Sequence, residues 1–355
     1  MKAIGLMSGT SLDGVDAAWI ETDGESIRGF GPAATVLYDA ELRAALRQLL
    51  EQAPTLNPDD PLLRRIEGQL TREHALAVAM LGRNADIIGF HGQTILHAPE
   101  ARRTWQIGDP ALLARLTHLP VIYDFRSADM AAGGQAAPLV PLFHAALAKS
   151  LEKPLLIVNI GGVANATWLG PEGEILACDT GPGNGPLDDL AQKHLGQPYD
   201  KDGALASSGQ ACSTRLEQLL AHPFFRLPAP KSLDRLSFST LIAQATENLP
   251  PEVAAATLAA FICAAIAQAP WPLPPKQVLV TGGGRHNKAL MHGLTMQFAG
   301  PVRPVEAVGW NGDALEAQCF AFLAVRSWRG LPLSLPTTTG VPTPQTGGRL
   351  YGTIL

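Results

Sequence analysis

Residues 5–18 (GLMSGTSLDGVDAA) set glycines, hydroxyls and two carboxylates between apolar stretches, a combination suited to holding an anion. Gly9 and Gly14 permit backbone conformations in which successive N–H groups point inward at phosphate oxygens, while Ser8, Thr10 and Ser11 add hydroxyl donors. Asp13 and Asp16 would repel a polyphosphate unless a magnesium ion, or its water shell, stood between them. A P-loop is excluded: Gly9 and Gly14 have its spacing, but Val15 and Asp16 stand where its Lys and Ser/Thr are required. A nucleophile elbow fails too, because the second glycine comes one residue too late after Ser11. A glycine-rich hairpin turn without a ligand is the alternative, since turns recruit the same residues for local reasons.

The elements that must position this segment are short strands, 2–6 and 15–20, which make its polar middle the tip of a hairpin. A third strand is expected at 35–38. Helices follow at 40–52, with leucines at helical spacing, and from Asp59, Asp60 and Pro61 toward Leu81. Residues 86–90 (DIIGF) read as a buried strand ending at His91, Gly92, Gln93 and Thr94, and Asp109-Pro110 opens a helix before a strand at 121–123. The Ala-, Gly- and Pro-rich stretch 128–141 has little periodicity and marks a crossover. A second unit then echoes the first: 155–160 (LLIVNI) runs into Gly161-Gly162, and strands at 166–169 and 175–178 follow. A last apolar strand, 277–281, runs into Gly282, Gly283 and Gly284, with helices from about Asn287 and over 313–326. The tail from Gly330 reads as irregular.

The chain has 355 residues, 46% hydrophobic and 17% charged, enough for two domains with sizeable cores. A net charge of −5 without any Lys/Arg run gives no footprint for nucleic acid, so a small ligand is expected. Cys178, Cys212, Cys263 and Cys319 fit neither a metal spacing nor a disulfide frame and are expected as reduced, buried thiols. Polar Ser8 arrives too early for a signal peptide, and the most apolar run, 253–267, is short and interrupted by Thr257. A cytoplasmic protein with no membrane partner is expected.

Three glycine turns that each follow a strand suggest a nucleotide held by two phosphate hairpins, Gly161-Gly162 with Asn165 forming the second, and by an adenosine turn at 282–284. Their order resembles the actin-like ATPase superfamily of sugar kinases, acetate kinase and heat-shock ATPases. The likeness extends through FHGQTILHAP (90–99), DFRSADMAAGGQAAP (124–138), NIGGVAN (159–165), DTGPGN (179–184), TGGGRHN (281–287) and GDALEA (312–317). With the opening segment, these motifs resemble the anhydro-N-acetylmuramic acid kinase family over essentially the whole chain. Gly185-Pro186, directly after DTGPGN, is more constrained than that pattern.

The resemblance implies a two-domain α/β actin-like fold with ATP in the interdomain cleft: an N-terminal domain, 1–127, completed by the tail 331–355, and a second domain, 128–330, with a hinge near 127–134. It implies an ATP- and magnesium-dependent kinase that opens the 1,6-anhydro bond of the muramic acid sugar and phosphorylates O6, in peptidoglycan recycling. ATP contacts are then expected from Gly9, Thr10, Ser11, Leu12, Asp13, Gly14, Val15, Asp16, Gly161, Gly162, Asn165, Gly282, Gly283 and Gly284, with Asp13 or Asp16 reaching magnesium through water. Asp179 is the expected base toward water, although an aspartate before Thr-Gly-Pro-Gly also caps its own turn. Glu316 is expected to assist it, with a plain helix-surface glutamate as the alternative. Substrate contacts are expected from His91, Gln93, Thr94, Gly181 and Arg126, whose guanidinium suits the lactyl carboxylate or else an ion pair. A homodimer is also expected. An ATP-independent glycoside hydrolase would need a second paired carboxylate, and a non-catalytic actin-like ATP-binding module would leave the sugar-directed residues unexplained.

Overall fold

The computed structural model describes residues 1–9, 12–233 and 237–353. Its strands are β1 (Lys2–Ser8), β2 (Gly14–Thr22), β3 (Ile27–Leu37), β4 (Ile87–Ala98), β5 (Arg103–Ile107), β6 (Val121–Tyr123), β7 (Leu155–Ile160), β8 (Val163–Leu169), β9 (Ile175–Pro182), β10 (Gln277–Thr281), β11 (Val302–Pro304) and β12 (Arg349–Tyr351). The chain divides into two compact units, one of Met1–Lys149 with Asp313–Leu355 and one of Ser150–Gly312.

Both units are built on one strand plan. In the first the sheet order is β12-β6-β4-β1-β2-β3, with β5 paired to β4; in the second it is β11-β10-β7-β8-β9. Each begins with an antiparallel meander, β1-β2-β3 or β7-β8-β9, and extends from its first strand by parallel pairing, to β4 and β6 or to β10 and β11. The echo expected from the sequence is therefore a repeat of topology.

Local chemistry accounts for the elements. Helix Ala40–Gln52 starts where the Asp39 side chain accepts the Leu42 N–H at 2.7 Å, and it buries Leu42, Leu46 and Leu49. Helix Pro61–Met80 is capped in the same way by Asp60, with proline in its first turn. β7 is apolar and buried along nearly its whole length, as a central strand covered on both faces must be. Helix Pro251–Ala267 is alanine-rich and buried almost all round, within the core of the second unit. In the first unit, helix Leu315–Trp328 crosses the sheet so closely that a Cβ on Gly5 would meet the Ala317 carbonyl and one on Gly89 the Phe320 carbonyl.

Several expectations need correction. The compact units part after 149 and 312, so that 128–149 and 313–330 group with the first of them. The segment placed at a hinge forms helix Ser127–Ala131 inside that unit. β4 does not end before His91: His91, Gly92, Gln93 and Thr94 lie within it, because β5 supplies an antiparallel ladder that carries the strand to Ala98. Likewise β9 continues through Asp179, Thr180 and Gly181 to Pro182, paired to β8; Pro182 is tolerated on an edge strand. β3 starts at Ile27, since it pairs along β2 from end to end. The tail is not wholly irregular, as it contains helix Pro336–Thr339 and β12. Gly185-Pro186 form the first turn of helix Gly185–Leu195. All four thiols are free, but Cys212 is only half-buried.

Candidate active site

In the first unit the β1–β2 connection is tied to Tyr38, just after β3, and to β4 by a polar cluster. Ser8 Oγ lies 2.6 Å from the Tyr38 hydroxyl and also bonds Gln93 Oε1, while Gln93 Nε2 donates to the Gly9 carbonyl at 3.2 Å. Leu12 takes a left-handed backbone with φ 56° and donates its N–H to Gly9, and Tyr38 N–H donates to the Asp13 carbonyl. Leu12 and Val15 bury their side chains in the core, so only their backbone faces the connection. Gly14 is required by the fold: a Cβ there would meet the Val36 carbonyl. Thr10 and Ser11 lie outside the described residues.

Asp13 is exposed and Asp16 half-buried. Burial raises the Asp16 carboxyl above its usual range; the Thr35 hydroxyl, donating at 2.6 Å, opposes this, and the charges of Asp13 and Asp313 add to it. This is an environment a cation would relieve. Among the described residues no group of three or more His, Cys, Asp and Glu side chains is arranged to hold a metal.

A second cluster surrounds Arg126. Its Nε donates to His91 Nε2 at 3.0 Å, so the His91 proton sits on Nδ1, which donates to the Gly92 carbonyl at 2.8 Å. Burial first, then the Arg126 charge, hold His91 well below the usual imidazole range; the same two causes bring His97 down to about 4. Burial and the Arg126 charge thus disfavour the charged form of both imidazoles, and of the two it is His91 that accepts the guanidinium N–H. Phe320 stacks against His91 with centroids 4.4 Å apart. Glu316 lies one helical turn before it, exposed, in the first turn of Leu315–Trp328. Burial, with the Glu316 charge, raises the Cys319 thiol against the opposing Arg126 charge, so both groups act at one place. Thr94 accepts from Gln106 Nε2 at 3.1 Å. A cavity of about 230 Å³ opens beside His91 and Gly92, lined also by Trp105, Tyr123 and Asp124.

In the second unit Asp179 is buried on β9. Its Oδ2 accepts the Leu233 N–H at 2.7 Å, and its own N–H donates to the Lys231 carbonyl at 2.9 Å. Lys231, also buried, donates to the Phe224 carbonyl and lies 4.3 Å from the Phe224 ring centroid. Burial lowers its ammonium pKa, against the favourable charges of Cys178 and Asp179. Asn165 is the cross-strand neighbour of Asp179, and Gly181 takes φ 150°, with Phe225 against it.

The Gly161-Gly162 hairpin is clamped by the next turn: Gly183 N–H donates to Gly162 and Asn184 N–H to Gly161, at 3.0 and 2.6 Å. A Cβ on Gly183 would strike the Gly161 carbonyl, whereas one on Gly161 would meet only Val163 O at 3.7 Å. Asn184 Nδ2 donates to the Ile160 carbonyl, while its buried Oδ1 has no hydrogen-bond partner among the described residues and borders Gly284. Gly282, at φ 75°, and Gly284 pack on Asn159 and Ile160, so they are glycines for the protein's own close approach; Gly283 is less enclosed. Arg285 fixes this turn by donating to the Gly282 carbonyl at 3.0 Å and to Glu306 at 2.9 Å.

Sequence reasoning thus found the connections but missed Tyr38, His97, Asn184, Lys231 and Arg285. His97, Asn184 and Arg285 lie inside quoted motifs, a signal that was available. Tyr38 and Lys231 join through the fold alone.

Two units on one strand plan, each turning at a glycine-bearing connection after its first strand, define a two-domain actin-like ATPase architecture. Within that class the chain belongs to the family described as anhydro-N-acetylmuramic acid kinase, whose model matches residues 1–353, and it is accordingly a kinase. A relative from Acidiphilium cryptum bearing that name is 66% identical over 350 residues, covering 99% of this chain and 98% of the relative. One of the same name from Paramagnetospirillum magneticum is 53% identical over 351 residues, covering 98% and 99%. Among solved structures, component A of Acidaminococcus fermentans (R)-2-hydroxyglutaryl-CoA dehydratase is similar at 10% identity and a TM-score of 0.48, covering 92% of this chain and 98% of that one. The comparisons favour neither an ATP-independent hydrolase nor a non-catalytic module. Among the described residues no helix is long and apolar enough to cross a membrane.

Proposed function

We propose that the chain opens the 1,6-anhydro bond of anhydro-N-acetylmuramic acid and transfers the γ-phosphoryl group of ATP to the freed O6. Asp179 takes a proton from water as the water oxygen bonds to the anomeric carbon. The bond from that carbon to O6 breaks, and O6 takes the phosphoryl group in line, leaving ADP. The Leu233 N–H orients the carboxylate for this. Magnesium-bound ATP, when present, supplies the phosphoryl group with part of its charge neutralised. Asp13 and Asp16 suit that cation, and the raised Asp16 carboxyl supports it, since a nearby cation would draw the group back to its ionised form. The backbone of residues 9–16 and of Gly161, Gly162 and Gly283 would hold phosphate and nucleotide. Arg126, held by His91, would take the lactyl carboxylate, with Gln93, Thr94 and Gly181 toward the sugar and Glu316 assisting the water.

The observation that carries this reading is the buried, backbone-anchored Asp179 in a chain of this family. The homodimer and the two actin-like domains, 1–127 with 331–355 and 128–330, rest on the sequence resemblance, and a cytoplasmic setting is proposed with them. The test is mass spectrometry of the product formed in heavy-oxygen water. Label at the anomeric oxygen together with phosphate on O6 is the expected result; phosphorylation with the anhydro ring intact would replace the reading with ordinary sugar phosphorylation.

A further inference from the structure

Asp129 is 2% exposed and belongs to none of the roles assigned above. Its Oδ1 accepts the Ala136 N–H at 2.6 Å, and its Oδ2 accepts the hydroxyls of Ser334 and Thr339, the latter at 2.6 Å. Its backbone carbonyl accepts the Gly134 N–H, and a Cβ on Gly134 would collide with the carboxylate. The C-terminal segment closes the same turn again, because Gln135 N–H donates to the Thr339 carbonyl at 2.8 Å.

The object held by these bonds is Ala136. It takes φ 56°, a left-handed conformation that a residue with a Cβ adopts only when its surroundings impose it. Its N–H is bound to Asp129, and its carbonyl accepts Arg126 Nη1. The guanidinium is therefore gripped at two points, Nε by His91 and Nη1 by Ala136. A guanidinium held at these two points has its plane set, and a set plane is what recognition of a planar carboxylate needs.

We propose that Asp129, with Thr339 and Ser334 as its donors, is a positioning residue that sets the Arg126 fork for the carboxylate of the sugar substrate. It rests on the reading that Arg126 takes that carboxylate. All three side-chain bonds to Asp129 come from donors, so an amide at this place turns an N–H toward one of them and releases Ala136 or the C-terminal segment.

The experiment measures calorimetric dissociation constants for anhydro-N-acetylmuramic acid and for its lactyl carboxamide, with ADP affinity and kcat alongside. The proteins are the parent, Asp129→Asn, Thr339→Val, Arg126→Lys and the Asp129→Asn/Arg126→Lys double variant. The preference for the acid over the amide is expected to fall about tenfold in Asp129→Asn and about threefold in Thr339→Val, with ADP affinity unchanged. In the Arg126→Lys background Asp129→Asn should lower that preference no further. A preference held in Asp129→Asn and Thr339→Val, but lost in Arg126→Lys, overturns the positioning role alone. Equal weakening of both sugars overturns it too, as that is the mark of general structural damage. If Arg126→Lys leaves the preference intact, the carboxylate reading itself falls, and the role of Asp129 with it. Should Asp129→Asn fail to fold, Thr339→Val, which keeps the side-chain shape, decides the matter.

Discussion

The two units share a strand plan and differ in how they hold their polar groups. In the first, side chains hold side chains: Ser8, Tyr38 and Gln93 form one set, His91 and Arg126 another, and Asp129, Ser334 and Thr339 a third. In the second, backbone does the work. Leu233 N–H holds Asp179, and the Gly161-Gly162 hairpin is gripped by the N–H groups of Gly183 and Asn184. The histidines follow the same division, for the four with strongly lowered pKa values, His74, His91, His97 and His144, all belong to the first unit. One topology thus supports a side-chain lattice beside buried histidines and a backbone cradle around Asp179 and the glycine hairpin.

The largest effect should come from the backbone-anchored carboxylate. Asp179→Asn keeps the Leu233 bond but removes the base, so kcat should fall by about 10³-fold, within the range for general-base removal. Its ATP affinity should stay near the parent's; activity within about tenfold of the parent would break the assignment.

Acid should separate the two units next. Burial lowers His74 to about 4, His97 to about 4 and His144 to about 3 in the fold, so the unfolded chain takes up protons first as pH drops below the ordinary imidazole value of 6.5. Their contribution to stability is complete above that value and is lost as pH falls toward 4 and 3. Hydrogen exchange by mass spectrometry, corrected for intrinsic rates, should show the first unit losing protection between pH 6.5 and 4 by a few kcal/mol while the second changes less. Equal losses would erase the contrast.

Gly183→Ala puts a methyl group against the Gly161 carbonyl and should cost about 2 kcal/mol in denaturant titration, together with most of the ATP affinity. Tyr38→Phe, the smallest, removes one hydroxyl from the Ser8 cluster and should cost about 1 kcal/mol. If the second substitution proved the more damaging, the side-chain lattice would be the more demanding of the two.

Much of this fold is legible in the sequence because local signals agree with it. The apolar runs of β7 and β10 and helix Ala40–Gln52 have the bounds that apolar runs and leucine periodicity predict. β4 beyond Phe90 and β9 beyond Cys178 do not read as strand, because Gly-Gln-Thr and Thr-Gly-Pro have turn composition. Pairing to β5 and β8, a distant and therefore invisible contribution, overrides it. Asp179 and the glycine connections stand out by residue type, but contacts from distant segments do not: Leu233 reaches Asp179, and Ser334 and Thr339 reach Asp129, only once the chain has folded back.

The close crossing of helix Leu315–Trp328 over Gly5 and Gly89 has a consequence for biosynthesis. The second unit is one continuous stretch, Ser150–Gly312, and can fold as it leaves the ribosome. The first unit, although translated first, lacks the helix that covers its sheet until the last part of the chain emerges. Its Gly5 and Gly89 strands must wait with a face uncovered until residues 315–328 have been made, so a truncation that removes this helix should leave that face open.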